Sequence, residues 1–194
     1  MCKISIEVEN YVTNLLMHSA SSKLCFHSLN HTKEVVNAVF EICYHSQVTE
    51  SELNILIVAA WFHDCGYVKN YNGHEEESSR IAKIFLTNLN CDKEFIRQVL
   101  KCIDSTKYSH LPITLAEKII RDADMYHLCK PNYPVYEELL RKELEHHLGL
   151  FFTDKEWQRQ NYEFFMNHRY HSEYGKKVLS KFKKINMQIV KSRI

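Results

Sequence analysis

The sequence predicts an all-α fold, a bundle of about eight or nine helices, on three observations. Apolar residues recur at helical spacing along almost the whole chain. Only 4 Gly and 3 Pro are present to punctuate turns, where a sandwich of short strands would need many more. Thr49 with Glu52 and Thr153 with Glu156 each form the Thr-x-x-Glu word that opens a helix through a capping box. At 194 residues, 45% hydrophobic and 25% charged, the chain suffices for one sizeable core and is short for two.

The elements come in order. Residues 4–18 read as a first helix. A second runs from about Ser28 to His45 and places His31, Val35, Ala38, Val39 and Ile42 on one face. Thr49 opens a third, nearly all-apolar helix that ends near Asp64, with Gly66 expected as the left-handed residue at its C-terminus. A fourth begins near His74 and runs to Asn88. A fifth spans about Asp92 to Ser105, with Phe95, Ile96, Val99, Leu100 and Ile103 inward. Pro112 breaks the pattern before a sixth, from about Thr114 to Leu128. Pro131 and Pro134 mark the next turn, and helices come after it near 135–147, 154–168 and 173–188. The last interleaves Lys176 to Lys191 with Val178, Leu179, Phe182 and Ile185, an amphipathic pattern suited to packing or to a homodimer contact.

The charge balance excludes some functions. The 25 basic side chains nearly cancel the 24 acidic ones, so no field implies a nucleic-acid polymer or an anionic membrane as partner. The seven Cys, from Cys2 to Cys129, are odd in number, scattered and without a CxxC pair, which fits free thiols in a reducing cytosol. Glu7 and Glu9 interrupt any apolar leader, and the longest apolar stretch, Leu53 to Phe62, is far below the ~20 residues of a membrane span. The expectation is a soluble, cytoplasmic protein.

The chemistry lies in polar residues that intrude on apolar faces. His63 and Asp64 close the most apolar helix, where a carboxylate is costly to bury unless an ion compensates it. His31 leads the stripe of the second helix. Asp124 follows Ala116 and Ile120 at helical spacing, and this phase favours it over Asp122. Glu75 opens the stripe Ser79, Ala82, Leu86. His31, His63, Asp64 and Asp124 together form a mixed nitrogen and oxygen set suited to a divalent metal ion (Mn, Mg, Fe, Co, Ni or Zn), with positions left for water and a phosphate oxygen.

In this order, and with the words Phe26-His27-Ser28-Leu29-Asn30-His31, Ala60-Trp61-Phe62-His63-Asp64-Cys65-Gly66-Tyr67, His74-Glu75-Glu76-Glu77 and Arg121-Asp122-Ala123-Asp124, the chain resembles the HD superfamily of metal-dependent phosphohydrolases. It looks most like small stand-alone HD proteins and the HD module of bacterial cyclic-nucleotide defence effectors (Pycsar effectors). The resemblance implies a single domain over 1–194, with a metal core at 24–128 and a helical cap at 133–190. It also implies hydrolysis of a phosphoester, usually of a nucleotide, by a metal-activated water. His31, His63, Asp64 and Asp124 would hold the ion; Glu75, with Asp64 sharing the role, would orient the water. Lys107, Arg141, His168 and His171 are the candidates for holding the remaining phosphate charge. Between Asp64 and Asp124 only His74 and His110 are available for a second ion, so one metal or two stays open. A nucleotide sensor without turnover and a di-iron oxygenase are the alternatives.

Overall fold

The nearly all-apolar stretch becomes the helix around which the others pack. The computed structural model describes residues 3–19, 21 and 23–194, and Cys2 lies outside them. Among the described residues there are nine α-helices and no strand: α1 (Lys3–Ser19), α2 (Leu29–Tyr44), α3 (Glu50–Phe62), α4 (His74–Asn88), α5 (Lys93–Asp104), α6 (Leu115–Asp124), α7 (Tyr133–Leu148), α8 (Asp154–Asn167) and α9 (Ser180–Lys191). Every residue of α3 from Ile55 to Phe62 is buried, because α1, α2, α4, α5 and α6 all contact it. Each large apolar side chain among them contributes roughly 1.5–3 kcal/mol through removal from water.

Local signals set the helix starts. Thr49 and Thr153 form the expected capping boxes, and Thr114 with Glu117 forms a third. The predicted core faces of α2 and α5 are inward: His31, Val35, Ala38, Val39 and Ile42 are buried, as are Ile96, Val99 and Ile103. Cys43, Cys65, Cys102 and Cys129 are buried thiols, and burial pushes Cys43 up to about 12. None of the described helices is long and apolar enough to cross a membrane.

Three expectations are corrected. Gly66 does not take a left-handed backbone; among the described glycines that conformation belongs to Gly73 and Gly149. Gly66 is required instead for close approach. A Cβ there would lie 1.9 Å from the His74 carbonyl oxygen and 2.8 Å from the Ser78 nitrogen, and the Gly66 N–H donates to Ser78 Oγ at 2.8 Å. The sixth helix stops at Asp124 and tightens into a 3₁₀ turn, Met125–Cys129, in which His127 Nδ1 donates to the Asp124 carbonyl. The last helix is rotated relative to its amphipathic pattern, because a π-helical turn at Gly175–Leu179 shifts the phase of the residues after it. Phe182 and Ile185 are therefore more than half exposed, while Lys183 and Asn186 face inward.

Those two inward polar residues are satisfied by main-chain carbonyls. Lys183 donates to Phe165 and His168, and Asn186 to Leu128 and Lys130. A small second core of Leu128, Tyr133, Phe165 and Val190 joins α7, α8 and α9 to the 3₁₀ turn after α6.

Burial, reinforced by the Lys183 charge, pushes His168 down to about 3; its Nδ1 lies 3.5 Å from Lys183 Nζ. A folded pKa below the unfolded value of 6.5 means that stability is complete above 6.5 and is lost as pH falls toward 3. We expect a loss on the order of 3 kcal/mol between about pH 6.5 and pH 4 from this group. His168→Asn, which keeps a polar group without a titrating imidazole, should flatten that slope in urea unfolding series; an unaltered slope would refute the assignment.

Candidate metal centre and its cavity

The centre forms where α2, the end of α3 and the end of α6 meet. Helical spacing in α2 turns His31 toward α3 and α6 with Val35 and Val39. His63 caps α3, and Asp64 leads into a 3₁₀ turn, Cys65–Val68. The close contact at Gly66 seats the N-terminus of α4 directly on that turn, which brings His74 and Glu75 to the site. A residue with a side-chain carbon at position 66 would hold them off.

The four predicted ligands converge. His31 Nε2 lies 3.2 Å from Asp124 Oδ1 and 3.5 Å from Asp64 Oδ2; His63 Nε2 lies 3.1 Å from Asp64 Oδ2 and 3.6 Å from Asp124 Oδ1. These match the roughly 3–3.5 Å ligand-to-ligand edges expected around an ion bound at about 2.1 Å. The donor chemistry fits as well. His63 Nδ1–H donates to the Ala60 carbonyl at 2.8 Å, which leaves a lone pair on Nε2. Both His63 Nε2 and Asp64 Oδ2 are buried without a hydrogen-bond partner. Two such atoms facing one another call for positive charge between them, a proton or a bound cation.

The electrostatics agree. Burial would lower the His63 pKa, yet the Asp64 and Asp124 carboxylates raise it well above its ordinary value. Burial would raise Asp64 and Asp124, yet the neighbouring imidazoles hold both below the usual carboxylate range. The pocket therefore favours positive charge at its centre. His31, His63 and Asp124 are the group of three whose donor atoms lie within 4.8 Å of one another among the described residues.

His74 lies on the other oxygen of Asp64, with Nε2 3.7 Å from Oδ1 and Nδ1 donating to the Tyr71 carbonyl. His110 is turned toward Asp104 and Glu117 and does not join the cluster. Asp122 occupies the opposite face of α6 from Asp124, fully buried, where it accepts the backbone N–H groups of His171 and Ser172 at 2.8 Å each. It anchors the chain ahead of the π turn.

A cavity of about 400 Å³ opens on this centre. Its wall includes Asp64, Glu75, His74 and Asp124 of the centre, and also Leu140, Leu144, Trp157 and Phe164 from α7 and α8. His127, which no sequence pattern singled out, also lines it; burial and the nearby His31 push its pKa down to about 4, so it stays neutral. Its spacing of three from Asp124 on a helical pattern was the available signal.

His27 is held by another residue that the sequence left unmarked. Glu143 of α7, fully buried, accepts the Phe26 and His27 backbone N–H groups, the His27 ring and the Tyr71 hydroxyl. The Tyr67 ring stacks between His27 and His74, with centroids 4.3 and 3.8 Å away. The loop before α2 is thus tied to both α7 and α4.

The predicted phosphate-binding cations are placed elsewhere. Lys107 pairs with Asp104 and with Glu76 at 2.8 Å. Arg141 pairs with Asp154 at 2.7 Å and the Phe152 carbonyl. His168 faces Lys183, and the His171 main chain is bound to Asp122. None of the four is among the residues that line the cavity.

No curated protein and no solved structure matches the chain. The family profile of the HD domain matches residues 28–129, just over half of the chain. That segment opens at α2, closes in the turn after α6 and contains His31, His63 and Asp124, whose donor atoms cluster, with Asp64 beside them; the chain belongs to the HD-domain family, a superfamily of metal-dependent phosphohydrolases.

Proposed function

We propose that this protein hydrolyses a phosphoester of a nucleotide with one divalent ion held by His31, His63, Asp64 and Asp124, and that residues 1–194 work as one unit. The observation that carries this reading is the convergence of two imidazoles and two carboxylates, with unpartnered acceptor atoms, on the wall of a cavity of small-molecule size. A divalent ion there supplies a Lewis acid that polarises a phosphoryl oxygen and makes a water acidic.

The chain's own groups account for the remaining steps. Glu75 stands in the first turn of α4 against the cavity, 3.6 Å from His74 Nδ1, and takes the proton of the attacking water. Asp64 orients that water while it holds the ion. Phe26, Tyr108, Tyr133, Trp157 and Phe164 line the cavity with aromatic faces on which a base can stack. The C-terminal helices supply much of that surface, so the segment beyond the matched family region builds the substrate pocket.

Glu75→Gln is expected to retain the metal and lower kcat by about 100-fold or more, the usual worth of a general base. Metal content by mass spectrometry and turnover of a nucleotide panel in Mn²⁺ check it. Wild-type rates in Glu75→Gln would remove Glu75 from the chemistry; nucleotide binding with no turnover in the wild type would make the protein a sensor.

A further inference from the structure

The charge of the cavity wall restricts what can enter. Among the described residues no Lys or Arg lines it, although carboxylates Asp64, Glu75 and Asp124 do. Lys107 is engaged with Asp104 and Glu76, and Arg141 with Asp154, while Arg159, next in the chain to the wall residue Gln160, is exposed and off the wall. Arg121 is buried, and its guanidinium donates to the carbonyls of Ser105, Thr106, Lys107 and Tyr108 at the end of α5. One divalent ion offsets the two carboxylates that bind it and leaves Glu75 uncompensated. A di- or triphosphate chain would then add several negative charges to a wall that has no Lys or Arg among the described residues and whose His27 is already paired with Glu143, where like charges repel strongly at reduced dielectric.

Another part of the wall asks for something else. Leu140, Leu144 and Phe164 make it apolar, and Trp157 is 4% exposed with an indole Nε1–H that has no acceptor. Asn161 does not supply one: its oxygen accepts from Tyr133 and its amide donates to the Trp157 carbonyl. The large indole ring on this part of the wall sets the shape of the body that fits there.

We propose that the cavity takes a nucleotide bearing a single phosphate, linear or cyclic, and rejects di- and triphosphates, and that Trp157 is a specificity residue for its uncharged body. The inference rests on the phosphohydrolase reading and deepens it. The phosphate occupies the carboxylate and imidazole part of the wall, and the base packs on the apolar part beside the Trp157 ring.

The test compares nucleoside 5′-mono-, di- and triphosphates of the four common bases with the 3′,5′-cyclic monophosphates, on the full chain loaded with Mn²⁺. Affinity is read as KM where a compound is turned over and by calorimetry where it is not. The single-phosphate member should exceed the di- and triphosphates of its base by at least about tenfold; equal or tighter triphosphate binding overturns the inference and leaves the hydrolase reading standing. Trp157→Phe should weaken the preferred compound about three- to tenfold and Trp157→Ala more, while methyl phosphate, which has no body, changes less than about threefold. Equal losses on both compounds, with metal retained, would make Trp157 merely structural. Protein that carries metal but neither binds nor turns over any nucleotide overturns the nucleotide reading itself.

Discussion

Asp64→Ala is expected to reduce bound divalent metal to background and to cut phosphoester hydrolysis by at least about 1000-fold. Asp64 faces three imidazoles: its Oδ2 stands 3.1 Å from His63 and 3.5 Å from His31, and its Oδ1 faces His74. Removing the carboxylate takes away one ligand and also the charge that makes the cluster attract a cation. His63 loses the main cause of its raised proton affinity, since burial alone would push it the other way. The measurement is metal content together with rate, because loss of rate with metal retained would place Asp64 in the chemistry alone. His63→Ala and Asp124→Ala should behave alike, and full metal content in all three proteins would refute the site.

Gly66→Ala should be the most damaging substitution of a single hydrogen by a methyl group. The added carbon meets the His74 carbonyl at 1.9 Å and the Ser78 nitrogen at 2.8 Å, both backbone atoms of α4 that have no rotamer to yield. The helix must move or the turn must distort, and overpacking of this kind costs on the order of 3 kcal/mol or more. Because the same contact delivers His74 and Glu75 to the centre, activity should fall further than stability at a temperature where the protein remains folded. Thermal unfolding and turnover of the same preparation separate the two effects. Gly73→Ala, where the nearest atom to an added Cβ is a flexible Glu76 side-chain oxygen at 3.5 Å but φ is +75°, should cost about 1 kcal/mol through backbone strain. A Gly66→Ala protein no less stable than Gly73→Ala would refute the close-packing account.

The helices and the cluster of His31, His63, Asp64 and Asp124 were largely legible in the sequence. An apolar helix ending in His-Asp, and polar residues at the head or foot of apolar stripes, are local patterns whose meaning depends on helical periodicity and on the cost of burying charge; both operate within a few turns of chain. The same periodicity separated Asp124 from Asp122, which the fold places on opposite faces of α6. What periodicity cannot convey is the approach of one element to another. Gly66 reads as a helix terminator until α4 is seen resting on it, and Glu143 reads as one surface glutamate among several until the loop at Phe26 and His27 is found bonded to it.

The cations show the limit most clearly. Lys107 and Arg141 have the right charge for a phosphate, but a long side chain pairs with whichever carboxylate or carbonyl the fold brings within reach, and here those partners lie off the cavity wall, while burial and Lys183 leave His168 neutral. The turn at Gly175–Leu179 likewise changed which face of α9 is buried, a phase shift that residue identities alone do not announce. By itself, then, the sequence determined the helical class, the helix starts and the four polar side chains that the fold brings together, His31, His63, Asp64 and Asp124, because these arise from short-range spacing and from charge placed on apolar faces. The tertiary structure alone decided the cavity wall without a Lys or Arg, the clamp on His27 and the unpaired indole of Trp157, because each is a relation between segments far apart in the chain.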